Sequence, residues 1–118
     1  SSSKSKKVAY KKSKAKKIKL DGQTSNIYTT GEKTSRWYKI SITSTKKKRI
    51  LNLGKNTVSG GYKFTIYKNG KKKAIKTIKV TENANAKIAK MPKKKGTYYI
   101  RISKLTKKTN GTYEIGYY

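Results

Sequence analysis

Apolar residues in this chain recur at every second position, in runs too short and too strictly alternating for a helix. Between Arg36 and Ser44, Tyr38, Ile40 and Ile42 alternate with Trp37, Lys39, Ser41 and Thr43, as in a strand buried on one face. Tyr62, Phe64 and Ile66 repeat the pattern, as do Tyr98, Ile100 and Ile102 within Gly96 to Ser103, and Tyr113, Ile115 and Tyr117 within Gly111 to Tyr118. Ile50, Leu51 and Leu53 mark another strand, Ile75, Ile78 and Val80 a further one, and Lys87-Ile88-Ala89 a very short one. The step from Ile75 to Ile78 slips from two to three, which calls for a bulge or bend.

The breaks between these runs carry turn chemistry. Asp21-Gly22 and Gly60-Gly61 interrupt the chain, and Lys68-Asn69-Gly70-Lys71 predicts a tight hairpin with positive φ at both central residues. A last hairpin is expected near Lys107-Lys108, which sets Arg101 opposite Glu114 as a cross-strand pair of opposite charge. About seven or eight short strands separated in this way predict an all-β fold, an antiparallel sandwich.

Composition bounds what such a sandwich can do. The chain has 118 residues, 33 of them Lys or Arg against 4 Asp or Glu, for a formal charge of +29, and is 32% hydrophobic. That is the size of one domain with a small core. Low apolar content with high charge favours disorder in general, and the alternation is what argues for a folded body here. Residues 1–17, a Ser/Lys stretch, read as a basic linker or tail, and 18–118 as the domain. The start lacks the apolar stretch of a signal peptide, so the chain reads as a mature or trimmed fragment. No apolar run has the length of a membrane span.

With no Cys and no His, disulfides, thiolate or imidazole metal sites, and Ser-His or Cys-His catalysis are excluded by inventory. Ser and Lys are too abundant for any one pair to stand out as nucleophile and base. No phosphate loop or dinucleotide fingerprint is present, so neither enzyme activity nor a cofactor is expected.

The positive balance points to an anionic partner. If the strands alternate in direction, the runs Lys46-Lys47-Lys48, Lys71-Lys72-Lys73 and Lys93-Lys94-Lys95 fall at one end of the sandwich, with Lys107-Lys108 at the other. The first two runs are the candidate electrostatic anchors. The competing reading is that lysine keeps strand edges soluble and unpaired. Only Arg36, Arg49 and Arg101 are arginine, and base reading prefers arginine, so nucleic acid is expected to bind only non-specifically.

The order of motifs resembles the bacterial pre-peptidase C-terminal domain, a jelly-roll-like β-sandwich related to collagen-binding domains. The resemblance spans about residues 18–118. It is carried by Trp37-Tyr38-Lys39-Ile40-Ser41-Ile42, Phe64-Thr65-Ile66-Tyr67, Gly96-Thr97-Tyr98-Tyr99-Ile100-Arg101-Ile102 and Gly111-Thr112-Tyr113-Glu114-Ile115. It implies a non-catalytic accessory module of a larger secreted or cell-surface bacterial protein, often a peptidase. Some members hold calcium, but the acidic residues Asp21, Glu32, Glu82 and Glu114 are few and widely spaced, so no metal site is expected here.

Trp37, Tyr67, Tyr99 and Tyr118 fall on outward faces, as does Arg101. Aromatic rings among cations have the chemistry to stack on sugars, bases or a peptide, and these five residues form the candidate ligand-binding set. The alternative is that they cover the sheet's second face or pack beneath the basic tail. The expected function is attachment or positioning of the parent protein at an anionic wall polymer, polysaccharide or matrix polymer. A structural spacer or folding aid without a specific ligand is the main alternative, and non-specific nucleic-acid binding the other.

Overall fold

The computed structural model describes residues 9–28 and 35–118. Nine strands run in chain order: β1 (Lys16–Lys17), β2 (Gly22–Tyr28), β3 (Arg36–Ile42), β4 (Ile50–Ser59), β5 (Tyr62–Lys68), β6 (Ala74–Val80), β7 (Ala86–Lys90), β8 (Gly96–Lys104) and β9 (Asn110–Tyr117). They form a sandwich of a five-stranded sheet, ordered β1-β3-β8-β5-β6, and a four-stranded sheet, ordered β2-β9-β4-β7. Every pairing is antiparallel except the short parallel contact of β1 with β3.

The period of two sets the layers. Tyr38, Ile40, Ile42, Leu51, Leu53, Tyr62, Phe64, Ile66, Tyr98, Ile100, Ile102, Tyr113, Ile115 and Tyr117 all point inward and form one core. Five tyrosines serve as core rings whose hydroxyls reach polar partners at its edges. Tyr62 donates to the Gly111 carbonyl (2.7 Å), Tyr98 to the Lys94 carbonyl (2.8 Å) and Tyr117 to the Ser41 carbonyl (2.8 Å), while Tyr38 and Tyr113 hydrogen-bond to each other. Arg36 shares this inward face and is buried, its Nη1 donating to the Ile27 carbonyl (2.8 Å) and to Tyr113 Oη (3.2 Å). Two fixed acceptors at Nη1, one from each of β2 and β9, help a buried guanidinium to be tolerated.

Several local expectations change in the structure. The last two strands do not form a hairpin: β8 pairs with β3 and β5, and β9 pairs with β2 and β4. Arg101 therefore faces Trp37 and Thr65, and Glu114 faces Ser25 and Gly54. Alternation reports which face of a strand is inward and is silent on which sheet the strand joins. At Lys68 to Lys71 the turn closes through Lys71 N–H to the Lys68 carbonyl (3.0 Å), and only Gly70 takes positive φ (83°). The loop runs on to Ala74, so Asn69 is not forced into a two-residue turn. The expected slip in the return strand is a bulge: Ile66 pairs with Lys76 and Tyr67 with Ala74, leaving Ile75 as the extra residue.

The stretch expected as a linker is divided. Residues 1–8 lie outside the described residues. From Ala9 onward the chain packs on the sheet: Ala9 and Ala15 are buried, the Ala9 carbonyl accepts from Trp37 N–H (2.9 Å), and Ile18 N–H donates to the Lys39 carbonyl (2.9 Å). Strand β2 is also unexpected, since Gly-Gln-Thr-Ser-Asn-Ile-Tyr carries almost no apolar alternation. It forms because β9 offers it a partner at every position from Gly22 to Tyr28.

Two crossings between the sheets are fastened to each other. The chain leaves β4 for β5 through Gly60-Gly61 and leaves β8 for β9 through residues 105–109. Thr109, fully buried, accepts from Gly61 N–H (3.2 Å) and donates to the Gly61 carbonyl (3.0 Å) through its hydroxyl. Gly60 sits at φ 74°, and a Cβ there would lie 2.3 Å from Thr109 Oγ1, so only glycine passes. Thr109→Val, which keeps the shape and leaves the buried Gly61 amide without its partner, is expected to cost about 2 kcal/mol. Urea unfolding should show a lower midpoint at an unchanged slope, and an unchanged midpoint would show that the hydroxyl is dispensable.

Candidate functional site

Strand register decides where the lysine runs fall. Ile42 pairs with Gly96, Lys68 with Tyr98, Tyr67 with Ala74 and Ile50 with Lys90. The loops 43–49, 69–73 and 91–95 therefore emerge at the same end of the sandwich, carrying Lys46-Lys47-Lys48, Lys71-Lys72-Lys73 and Lys93-Lys94-Lys95. All nine lysines are exposed. Lys107 and Lys108 lie at the opposite end, where the Lys108 carbonyl accepts from Ser59 Oγ (2.6 Å).

Repulsion at this pole reaches inward to Lys68, at the end of β5. Its ammonium is held below the usual lysine value of 10.5, first by desolvation and then by Lys94 and Lys71 beside it. On the flank of the pole a groove of about 460 Å³ opens between the edges of the two sheets. Ile75, Met91 and Pro92 give it apolar walls, and Lys48, Lys76 and Lys90 give it charge. Lys76 Nζ is fixed there by donating to the Lys90 carbonyl (2.8 Å).

The aromatic candidates divide between two faces. Trp37 on β3 and Tyr67 on β5 flank β8 on the outer face of the five-stranded sheet, with their ring centroids 5.6 Å apart. Tyr99 and Arg101 stand on β8 between them, opposite Tyr67 and Trp37 respectively. The Arg101 guanidinium lies 5.7 Å from the Trp37 ring, and its Nε donates to Ser35 Oγ (3.0 Å). Lys12, in the short 3-10 turn Lys12–Lys14, extends over this face, its ammonium 5.0 Å from the Tyr99 ring and 5.5 Å from that of Tyr67. The rings are thus half-buried beneath the N-terminal segment. Tyr118 belongs elsewhere: it pairs with Ile50 through its backbone, and its ring lies against Gly116 on the outer face of the four-stranded sheet.

The structure brings together Trp37, Tyr67, Tyr99 and Arg101, and separately the two lysine anchor runs with a third. It separates the aromatic group from Tyr118, which stands on the other sheet and pairs with Ile50 at the start of β4. Lys12, Lys68, Lys76 and Lys90 were not singled out from the sequence; each sits among so many other lysines that only the register distinguishes it. Among the described residues there is no group of three or more acidic side chains suited to a metal ion, and no helix is long and apolar enough to cross a membrane.

No protein-family model and no curated protein sequence matches the chain. Among solved structures, it is similar to the pre-peptidase C-terminal domain of a collagenase from Bacillus anthracis, with a TM-score of 0.71 over 89% of this chain and 95% of that one, at 19% identity. It is also similar to PliG of Aeromonas hydrophila, a periplasmic inhibitor of g-type lysozyme, with a TM-score of 0.54 over 89% of this chain and 98% of that one, at 11% identity. These likenesses establish the fold, and the first is the fold that the sequence motifs resemble.

A depressed lysine pKa means that the native state binds fewer protons than the unfolded chain between the two values, so stability rises with pH across that window. Lys94→Ala removes a like charge from beside Lys68, and is expected to move its titration midpoint up toward 10.5. Following the Lys68 side-chain carbon signals by NMR against pH checks this; an unmoved midpoint would contradict the coupling.

Proposed function

We propose that this chain is a non-catalytic accessory module that holds a larger secreted or surface-attached bacterial protein at an anionic polymer, with the lysine pole as its docking end. The observation that carries this reading is the convergence of three lysine loops from three different connections on one end. A formal charge of +29 works against compaction through self-repulsion, and an anionic partner relieves it. Gathering much of that charge on short loops, away from the core, places the relief where a polymer can reach. The lysine-walled groove beside the pole adds apolar surface, which a purely electrostatic contact would not need. The fold shared with a collagenase's C-terminal domain supports an accessory role.

The stacked face of Trp37, Tyr67, Tyr99 and Arg101 is the second element of the proposal. It already engages Lys12, so it offers an extended ligand an aromatic strip edged by cations rather than a bare platform. Arginine supplies little of the charge at the pole, which favours a non-specific phosphate or carboxylate polymer over base-reading recognition.

Binding to a polyol-phosphate wall polymer, a sulfated glycan, a collagen triple helix and DNA, measured at low and physiological salt, tests the proposal. At least one polyanion is expected to remain bound at physiological salt. Replacing Lys71, Lys72 and Lys73 with Gln should lower the slope of log affinity against log salt by about 2 to 3, as three lost ion contacts require. Trp37→Ala with Tyr99→Ala should weaken the retained ligand without changing that slope. Loss of every ligand alike at physiological salt would mean that the charge is generic and the module a spacer.

A further inference from the structure

The outer face of the four-stranded sheet carries a polar depression that neither the charge nor the aromatic strip accounts for. Gly54 forms its floor on β4, opposite Glu114 on β9, and Glu114 in turn faces Ser25 on β2. Asn52, Asn56 and Asn85 stand around it with Thr112, and the whole encloses about 330 Å³, at the small end of small-molecule sites. Gly54 takes no positive φ, and a Cβ there would meet Glu114 Cβ and the Asn85 carbonyl at ordinary contact distances of 3.7 Å. Glycine is therefore not required for the backbone, and what its hydrogen provides is space.

The amide and carboxylate side chains lining this space are not taken up by neighbours. Thr112 Oγ1 donates to the Asn56 carbonyl (3.3 Å), but the side chains of Asn52, Asn56, Asn85 and Glu114 make no hydrogen bond or ion pair among the described residues. In a chain with 33 basic residues, a half-buried glutamate without a lysine partner is unusual. Lys55 lines the same depression, yet its ammonium donates to the Glu82 carbonyl (3.2 Å). Tyr118 is not part of the lining; its ring covers Gly116, two residues along β9 from Glu114, and is 37% exposed.

We propose that this depression binds a neutral saccharide. Carboxamides offer a donor and an acceptor each, and a carboxylate offers two acceptor oxygens, which is the complement of adjacent sugar hydroxyls that both give and take hydrogen bonds. The Tyr118 ring supplies an apolar edge against which the C–H face of a sugar ring can lie. A single carboxylate falls short of the oxygen ligands a calcium ion takes, and the same carboxylate disfavours an anionic ligand. The site is distinct from the lysine pole in place and in chemistry, so a module docked on an anionic polymer would retain a second contact to uncharged glycan.

The test is a titration of the isotope-labelled chain with maltotriose, cellotriose and triacetylchitotriose at millimolar concentration, read from backbone amide shifts. At least one saccharide is expected to shift the amides of Gly54, Asn85 and Glu114, to the same extent at low and physiological salt. Gly54→Val, which suits a strand, fills the depression and should abolish those shifts while preserving the rest of the spectrum. Glu114→Gln should weaken binding at least about tenfold, and replacing Lys71, Lys72 and Lys73 with Gln should leave it unchanged. Silence of these amides toward all three saccharides, shifts located elsewhere, or shifts that survive in both Gly54→Val and Glu114→Gln would overturn the proposal.

Discussion

A single buried hydroxyl holds two of the sandwich's sheet crossings together at one end. Thr109 both accepts from and donates to the backbone of Gly61, so the step from β4 to β5 and the step from β8 to β9 are fixed against each other. Leu105 N–H is a second donor to the Gly61 carbonyl (3.0 Å), and Glu82, in the connection from β6 to β7, accepts the Gly60 N–H (2.9 Å). Where the chain changes sheets, backbone groups leave their ladders and must find partners inside the protein. The opposite end also carries sheet crossings, through the loops 43–49 and 91–95, where the Arg49 carbonyl accepts from Met91 N–H (2.9 Å) and the tyrosine hydroxyls of the core reach the Ser41 and Lys94 carbonyls; that is where the three lysine loops lie.

The division of the molecule follows from this. Its core relies on tyrosine because rings fill a thin interior while hydroxyls reach carbonyls at the ends. Tyr98 and Tyr117 reach out toward the lysine pole, and burial pushes both phenols above their usual pKa. One outer face carries stacked aromatics beneath a lysine from the N-terminal segment. The other carries uncharged amides around a glycine floor. Three surfaces with different chemistry thus share one small framework: the pole is built from loops, and the two faces from strand positions that the core leaves facing outward.

Much of the fold was legible in the sequence because the inward residues obey a strict period of two. The strands at Tyr38, Phe64, Ile100 and Ile115, the bulge near Ile75 and the gathering of the lysine loops at one end all follow from local spacing. What escaped depends on partners distant in the chain. Strand β2 is polar and exists through β9, and Arg36 is buried because Ile27 and Tyr113 supply acceptors across the sandwich. The supposed hairpin of the last two strands failed for the same reason, since facing in is common to both sheets. Of the candidate site, parity marked all five residues as outward-facing, and only register shows that Trp37, Tyr67, Tyr99 and Arg101 share one sheet while Tyr118 lies on the other. The lining of the Glu114 depression left no sequence trace, because scattered Asn and Ser residues read as loops until register aligns them.

Where a polyanion touches the molecule bears most directly on the role of the lysine pole. Titrating the labelled chain with long-chain polyphosphate at physiological salt, and following amide and lysine side-chain signals, locates the contact without any substitution. The expected result is perturbation concentrated at residues 46–48, 71–73 and 93–95 and at Lys68, Lys76 and Lys90, with Lys107 and Lys108 little affected. Perturbation spread evenly over every lysine, at both ends and on both faces, would contradict a docking pole and leave the charge as a property of the whole surface.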